Sequence, residues 1–347
     1  MSGISTGISL SGLAGILNGS FAAPTKYAKR WNWENIWAVW AVAGMFLFPW
    51  LLVFFTVPDV GRFYAHAPIH AMELVIIFGV GFGLAQILFG LGIAAIGISL
   101  NFAIAIGLST ALGSLVPLVF LQPQTIPTLK GIVIFVGVGL MLVGITVCAV
   151  AGREREREFQ FTRQAELNQG EKHMKFKTGL IICILAGLGS PLNNFGLAFG
   201  TPLTKRALEL GVSSANQANV IWAPLLTASL VPYLIYCVYL WRKNHSFQRY
   251  ASAGTGFYWL FGLIMGALWF GSTAIYGVAT SRFSGGTGPI VGWPLFMSSI
   301  IVTSNLWGFA TGEWRGTTRK PRNIVLLGTL ILILGFVALS FSSTLQS

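Results

Sequence analysis

The sequence contains little charge. Only 9% of its 347 residues are charged and 54% are hydrophobic, whereas soluble globular proteins carry about 25% charged residues. Ten membrane spans of roughly 20 apolar residues would occupy about 200 residues, which leaves only short loops and no room for a soluble domain. The composition therefore excludes an ordinary water-soluble enzyme and predicts an all-α polytopic membrane protein.

Cysteines and phosphate-binding motifs are also scarce. The three cysteines, Cys148, Cys183 and Cys237, lie in apolar stretches without a Cys-x-x-Cys spacing, so neither a disulfide framework nor a metal site is expected. The glycine-rich stretch that starts at Ser284 lacks the Gly-Lys-Ser/Thr of a phosphate loop. We therefore expect no metal, no cofactor and no ATP-driven transport by this chain alone.

Ten apolar runs are long enough to cross a bilayer. They are too continuously apolar for the alternating strands of a membrane barrel, so transmembrane helices are predicted. The predicted spans are residues 4–24, 35–57, 71–93, 98–121, 131–151, 178–200, 217–240, 254–279, 288–310 and 323–342.

A charged stretch separates the fifth and sixth predicted spans. Residues 153–158 alternate arginine and glutamate, and polar residues follow as far as Lys177. Mixed charge of this kind is typical of a solvated connector. The predicted organisation is a first five-helix repeat over residues 1–151, a cytoplasmic linker over 152–177 and a second five-helix repeat over 178–347.

The loop charges predict the orientation in the membrane. The connectors after spans one, three, five, seven and nine hold 17 of the 22 lysines and arginines, and basic loops face the cytoplasm. Both termini are then expected on the outer face of the membrane. The net charge of +12 is accounted for by this orientation, so no nucleic-acid partner is needed.

The two halves share short sequence matches at equivalent places. Leu13-Ala-Gly15 in span one matches Leu185-Ala-Gly187 in span six, and the two spans close on Phe21-Ala-Ala-Pro24 and Phe199-Gly-Thr-Pro202. With five spans each, the halves insert in opposite orientations. Inverted repeats are typical of secondary transporters, in which the substrate site lies near mid-membrane between the repeats.

Two connectors carry a family resemblance. Phe21-Ala-Ala-Pro24, followed by Lys29-Arg-Trp-Asn-Trp-Glu-Asn-Ile-Trp37, resembles the first connector of the bacterial L-rhamnose–proton symporters, within the drug/metabolite transporter superfamily. Gly312-Glu-Trp314 with Arg319-Lys-Pro321 is similar to the connector before that family's last span. The resemblance implies a ten-helix carrier that imports a deoxy sugar with a proton, through a cavity lined by spans one, three, four, six, eight and nine.

Polar and aromatic side chains within the predicted spans are the candidate sugar ligands. Sugar hydroxyls need amide and hydroxyl partners, and polar groups within a membrane should face the protein or an aqueous cavity. For any single residue the alternative is a hydrogen bond to a neighbouring helix. The candidates are Asn18, Gln86, Asn101, Ser190, Asn193, Asn194, Trp269, Tyr276, Trp293, Ser299 and Asn305.

Acidic residues that could couple transport to protons are few. No acid lies at the centre of a predicted span, and the candidates are Glu73, near the outer end of span three, and Glu313, just after span nine. Residues 284–289 lack the acidic residue that the resemblance leads us to expect at the start of span nine. Five tryptophans near span ends are interpreted as an interfacial belt: Trp31, Trp33, Trp37, Trp241 and Trp314.

Other functions remain open at this point. A small-metabolite exporter or an uncoupled sugar carrier of the same superfamily would have the same composition. A membrane enzyme would need acids or histidines clustered at one membrane face, and the nearest approach to such a cluster is Asp59, His66, His70 and Glu73. A transporter is therefore predicted rather than an enzyme.

Overall fold

The computed structural model describes residues 3–96, 98–163, 176–312 and 314–345. Within these ranges the chain forms helices joined by short turns, without strands. The α-helices are α1 Gly3–Ser20, α2 Trp33–Val42, α3 Phe48–Thr56, α4 Val60–Ala65, α5 Ile69–Ile96, α6 Ile98–Leu121, α7 Leu129–Arg163, α8 Phe176–Gly189, α9 Leu192–Phe199, α10 Thr201–Glu209, α11 Asn219–Lys243, α12 Gly256–Thr280, α13 Gly288–Ala310 and α14 Arg319–Ser342.

Nine helical segments in these ranges are long and apolar enough to cross a membrane. A π-helical turn at Ala43–Leu47 joins α2 and α3 into one of them, and α8, α9 and α10 together form another. The all-α, multi-pass architecture is thereby confirmed. Two helices remain: α4 has only six residues, and α1 is uncharged but rich in glycine and serine, which lowers its hydropathy. The tenth span therefore stays a prediction.

The glycines of α1 allow close packing against α13. A Cβ at Gly15 would lie 2.2 Å from the Cβ of Ser299, and a Cβ at Gly19 would lie 2.7 Å from the Cβ of Thr303. Small residues let two helix backbones approach each other closely. The glycines that lower the hydropathy of α1 are therefore also the residues that allow it to pack closely against α13.

The charged stretch after span five differs from a simple connector. α7 continues to Arg163, so the first part of the predicted linker is helical; residues 164–175 lie outside the described ranges. Glu154 pairs with Lys320 at 3.2 Å, and the Glu158 carboxylate accepts a hydrogen bond from the backbone N–H of Thr318 at 2.8 Å. These contacts attach the extension of α7 to the start of α14.

The helices of the two halves interdigitate around a central space. α1 packs on α12 and α13, whereas α8 packs on α5 and α6. α7 runs along α14, and α11 packs on α5 and α2. The largest buried apolar cluster includes residues of α2, α5, α11 and α12. The C-terminal end of α1 and the break between α8 and α9 border one cavity between these helices.

Candidate binding cavity

A cavity of about 410 Å³ lies between the helices, within the size range typical of small-molecule sites. Its wall is built from α1, α2, α5, α6, α11, α12, α13 and the break between α8 and α9. No described residue in the wall carries a formal charge. The lining therefore suits a neutral polar ligand better than an ion.

Aromatic rings form one side of the cavity. The ring of Trp40 lies 5.0 Å from that of Trp37, 5.1 Å from Trp269 and 5.8 Å from Tyr233, each in an edge-to-face arrangement. Phe82 of α5 also lines this side. Such rings offer large apolar surfaces together with polar N–H and O–H groups at their edges.

Amides and hydroxyls also line the cavity. Asn18, Gln86, Ser190 and Asn193 line the cavity, and Pro191 provides the break that ends α8 and starts α9. The Asn18 amide donates a hydrogen bond to the Ser272 hydroxyl at 2.8 Å. Ser190 bonds within its own helix, to the carbonyl of Ala186 at 2.7 Å.

Three buried polar atoms of cavity residues have no hydrogen-bond partner within the described structure. They are the carbonyl oxygen of Asn193, the indole nitrogen of Trp40 and the hydroxyl of Ser109. Most buried polar groups in proteins are paired. A small side-chain rotation toward the cavity would let each of these atoms bond to a ligand.

Asn194 lies next to Asn193 in sequence but has a different environment. It is fully buried, and its amide nitrogen donates to the carbonyls of Gly113 at 2.7 Å and Pro289 at 3.1 Å. Its oxygen accepts a hydrogen bond from the Tyr276 hydroxyl. We call this set the outer latch, because it ties α9 to α6, α12 and α13 on the side of the cavity away from the arginine-rich end of α7.

A second cavity of about 360 Å³ adjoins the first. The two share wall residues Gly19, Ala22, Ile106 and Ser304. The second cavity is lined by the ends of α1, α7 and α13, where α7 becomes arginine-rich. The central cavity is thus continued toward the basic end of the bundle.

Comparison with known proteins identifies the family. The sequence model described as "L-rhamnose-proton symport protein" matches residues 2–343. The chain belongs to this family. The family is one of sugar–proton symporters rather than enzymes.

Relatives of this symporter family cover most of the chain. Proteins named L-rhamnose-proton symporter from Mannheimia succiniciproducens and Yersinia pestis (strain Pestoides F) are each 26% identical over 90% of this chain and 91% of their own length. The relative from Yersinia pseudotuberculosis serotype O:1b matches to the same extent. The family resemblance noted in the connectors is therefore confirmed.

Several predicted sugar ligands of this family member lie outside the central cavity. Asn101 is buried and donates to a backbone carbonyl of α5 at 3.2 Å, and Ser299 bonds within α13 at 2.9 Å. Asn305 lines the second cavity. Trp293 lines the central cavity, but its indole nitrogen already donates to the Ser109 carbonyl at 2.9 Å.

The described acidic residues of this family member differ in their exposure. Glu73 is 61% exposed and lies 3.6 Å from His70, and Glu313 falls outside the described residues. Glu34, by contrast, is only 2% exposed. Within the described part of the chain, no three histidine, cysteine or acidic residues are grouped so as to hold a metal ion.

Several aromatic residues of the cavity wall are not among the predicted sugar ligands. Trp33 and Trp37, interpreted as belt residues, line it together with Trp40, and Tyr233 of α11 completes the aromatic side. Trp31 and Trp314 are also buried rather than exposed at the surface. Position along a span does not tell which face of the helix a residue occupies, so only the aromatic spacing Trp33, Trp37, Trp40 could have indicated one face.

Proposed function

We propose that this family member is a secondary active transporter that imports L-rhamnose or a related deoxy sugar, with a proton, across the bacterial cytoplasmic membrane. The observation that carries the proposal is the uncharged cavity, in which aromatic rings face amides and unpaired polar atoms. Hydroxyls of a sugar need such partners, and its C–H surface and methyl group suit the rings. Asn18, Gln86, Ser190, Asn193 and Trp269 are the proposed contacts.

The proposed architecture has ten spans, with α1 as the first, in two inverted repeats. The repeats would exchange α1 with α8–α10, α2–α3 with α11, α5 with α12, α6 with α13, and α7 with α14. If this correspondence holds, the contact between α1 and α12 in one arrangement has its equivalent in the contact between α8 and α5. The contact between α1 and α13 likewise corresponds to that between α8 and α6, and the pair α7–α14 corresponds to itself. All of these pairs are packed together, which supports a substrate site at the repeat interface.

The proposed transport mechanism is alternating access, with the present conformation open to the cytoplasm. The central cavity continues into the second cavity at the basic end of the bundle, which the distribution of lysine and arginine assigns to the cytoplasm. On the opposite side the outer latch closes the path. Opening of this latch, with closure of the inner end, would expose the same cavity to the outside.

Uptake into proteoliposomes tests the proposed function. We expect labelled L-rhamnose to accumulate when the outside is more acidic than the lumen, and accumulation to collapse when a protonophore is added. Liposomes without protein, and liposomes without a gradient, are the controls.

Two other results would replace the proposal. If rhamnose uptake reaches equilibrium but does not depend on the proton gradient, the protein is an uncoupled sugar carrier. If rhamnose is not transported but the proteoliposomes release another metabolite from a preloaded panel, the protein is a small-metabolite exporter.

A further inference from the structure

Glu34 is the one buried acid among the residues that the structure describes. Its side chain is in the first turn of α2 and only 2% exposed, whereas Glu73 and Glu209 have side chains more than half exposed. A buried carboxylate is costly unless hydrogen bonds or a cation stabilise it, or unless it binds a proton. Its neighbours therefore decide which form it takes.

Three neutral donors converge on one oxygen of Glu34. Oε1 accepts hydrogen bonds from the Asn32 amide at 3.1 Å, the Asn244 amide at 3.0 Å and the Ser246 hydroxyl. No described lysine or arginine forms an ion pair with it. Hydrogen bonds donated to a carboxylate stabilise its charged form, so this conformation favours the acid without its proton. We call these four residues the inner clasp.

The titratable groups around the inner clasp are neutral. Tyr236 and Cys237 of α11 face Glu34, as does Tyr250 in the turn after α11; burial raises the pKa of Tyr250. α12, which also packs on α2, contains no charged residue. The cations of the region lie elsewhere: Arg30 and Arg249 donate to backbone carbonyls, and Arg242, Lys243 and His245 are exposed.

The donors sit on two different parts of the fold. Asn32 directly precedes α2 and moves with Glu34, but Asn244 and Ser246 belong to the connector between α11 and α12. Any shift of α2 against this connector therefore removes two of the three donors. A carboxylate that stays buried without them would gain affinity for a proton.

The same helices form the aromatic side of the cavity. α2 carries Trp33, Trp37 and Trp40, and α11 carries Tyr233, whose ring lies 6.1 Å from that of Trp33. A ligand in the cavity thus contacts the two elements that the inner clasp joins. Substrate binding and the state of the clasp are linked through α2 and α11.

We propose that Glu34 carries the coupled proton: it binds one proton from the outside when the inner clasp is open, and releases it to the cytoplasm when Asn244 and Ser246 reach its carboxylate. This inference rests on the proposed sugar–proton symport. One proton and its positive charge would cross with each sugar that passes.

Glu34→Gln separates proton coupling from sugar movement. In proteoliposomes we expect the variant to exchange labelled for unlabelled L-rhamnose at nearly the wild-type rate. Its gradient-driven accumulation of L-rhamnose should be at least about tenfold lower than that of wild type. Glu209→Gln, which alters an acid with a 63% exposed side chain, is the matched control and should accumulate rhamnose normally. Wild-type protein measured in parallel shows whether symport itself occurs. Failure of the proposed function is thereby distinguished from failure of the role proposed for Glu34.

Ser246→Ala provides a second, milder test. The backbone carbonyl of Ser246, which accepts from the Asn35 amide at 3.0 Å, is retained, so the turn should fold. Loss of one donor makes proton release harder, and we expect inhibition by an acidic lumen to begin about one pH unit higher than in wild type.

Two results would overturn the proposal. One is undiminished gradient-driven accumulation by Glu34→Gln. The other is an unchanged pH dependence in a folded Ser246→Ala, which would leave Glu34 as an acid that only stabilises the N-terminus of α2.

Discussion

Three residues of the cavity wall carry buried polar atoms without a hydrogen-bond partner in the described structure. A buried donor or acceptor without a partner costs about 1–3 kcal/mol, and Asn193, Trp40 and Ser109 each contribute one such atom. Asn194, one residue further along α9, has all its hydrogen bonds made by protein groups. The two adjacent amides therefore differ in their proposed roles: Asn193 is a proposed ligand contact, whereas Asn194 belongs to the outer latch.

Asn193→Leu tests the ligand role at residue scale. The variant keeps the approximate size of the side chain but removes the unpaired oxygen and the amide, so we expect the half-saturating rhamnose concentration for exchange to rise about 10- to 100-fold. Ser298→Ala is the matched control, because Ser298 is buried outside both cavities and its hydroxyl donates to the Leu295 carbonyl within α13; its effect should stay within about twofold. Equal effects of the two changes would contradict the assignment.

Helical elements could be predicted much better than the faces that they present. Long apolar runs are sufficient to predict spans, and the break at Pro191 follows from its missing N–H. The helical extension of α7 depends on contacts of Glu154 and Glu158 with the start of α14, which no local pattern contains. Likewise, Trp37 could be placed near a span end, but its orientation into the cavity is decided by the packing of α2 on α11 and α12.

Gly15→Ala tests the packing of α1 at element scale. The added methyl group would lie 2.2 Å from Ser299 and 2.9 Å from the Phe296 carbonyl, so α1 must move away from α13. We expect a loss of about 1–3 kcal/mol of stability, measured as a lower unfolding temperature in detergent. Gly12→Ala is the control on the same helix, since the nearest atom to its Cβ is 3.9 Å away. Alanine has a higher helix propensity than glycine, so an equal loss of stability at Gly12 would contradict the packing explanation.

At the scale of the whole molecule, the two ends of the bundle are closed to different degrees. The outer latch joins α6, α9, α12 and α13 through buried hydrogen bonds. The opposite end holds the second cavity and the inner clasp, with Glu34 stabilised as a carboxylate. The proposed symport cycle requires an open inner cavity and a proton-free acid at the same end after sugar and proton have been delivered, and this arrangement agrees with that step.

Ser304 reports which end is open, because it lines both cavities. In a background in which Cys148, Cys183 and Cys237 are replaced, we expect a hydrophilic maleimide to label Ser304→Cys about tenfold faster in inside-out than in right-side-out vesicles, if the inward-open conformer outnumbers the other by that factor. L-Rhamnose should slow the labelling, since the wall position becomes covered. Ser298→Cys on the same helix, buried and outside both cavities, should react slowly in either orientation.

Faster labelling of Ser304→Cys from the outside would contradict this expectation. It would mean either that the basic loops face outward or that the outward-open conformer predominates. Labelling of cysteines placed in the exposed loops at His66 and His245 would distinguish these two explanations.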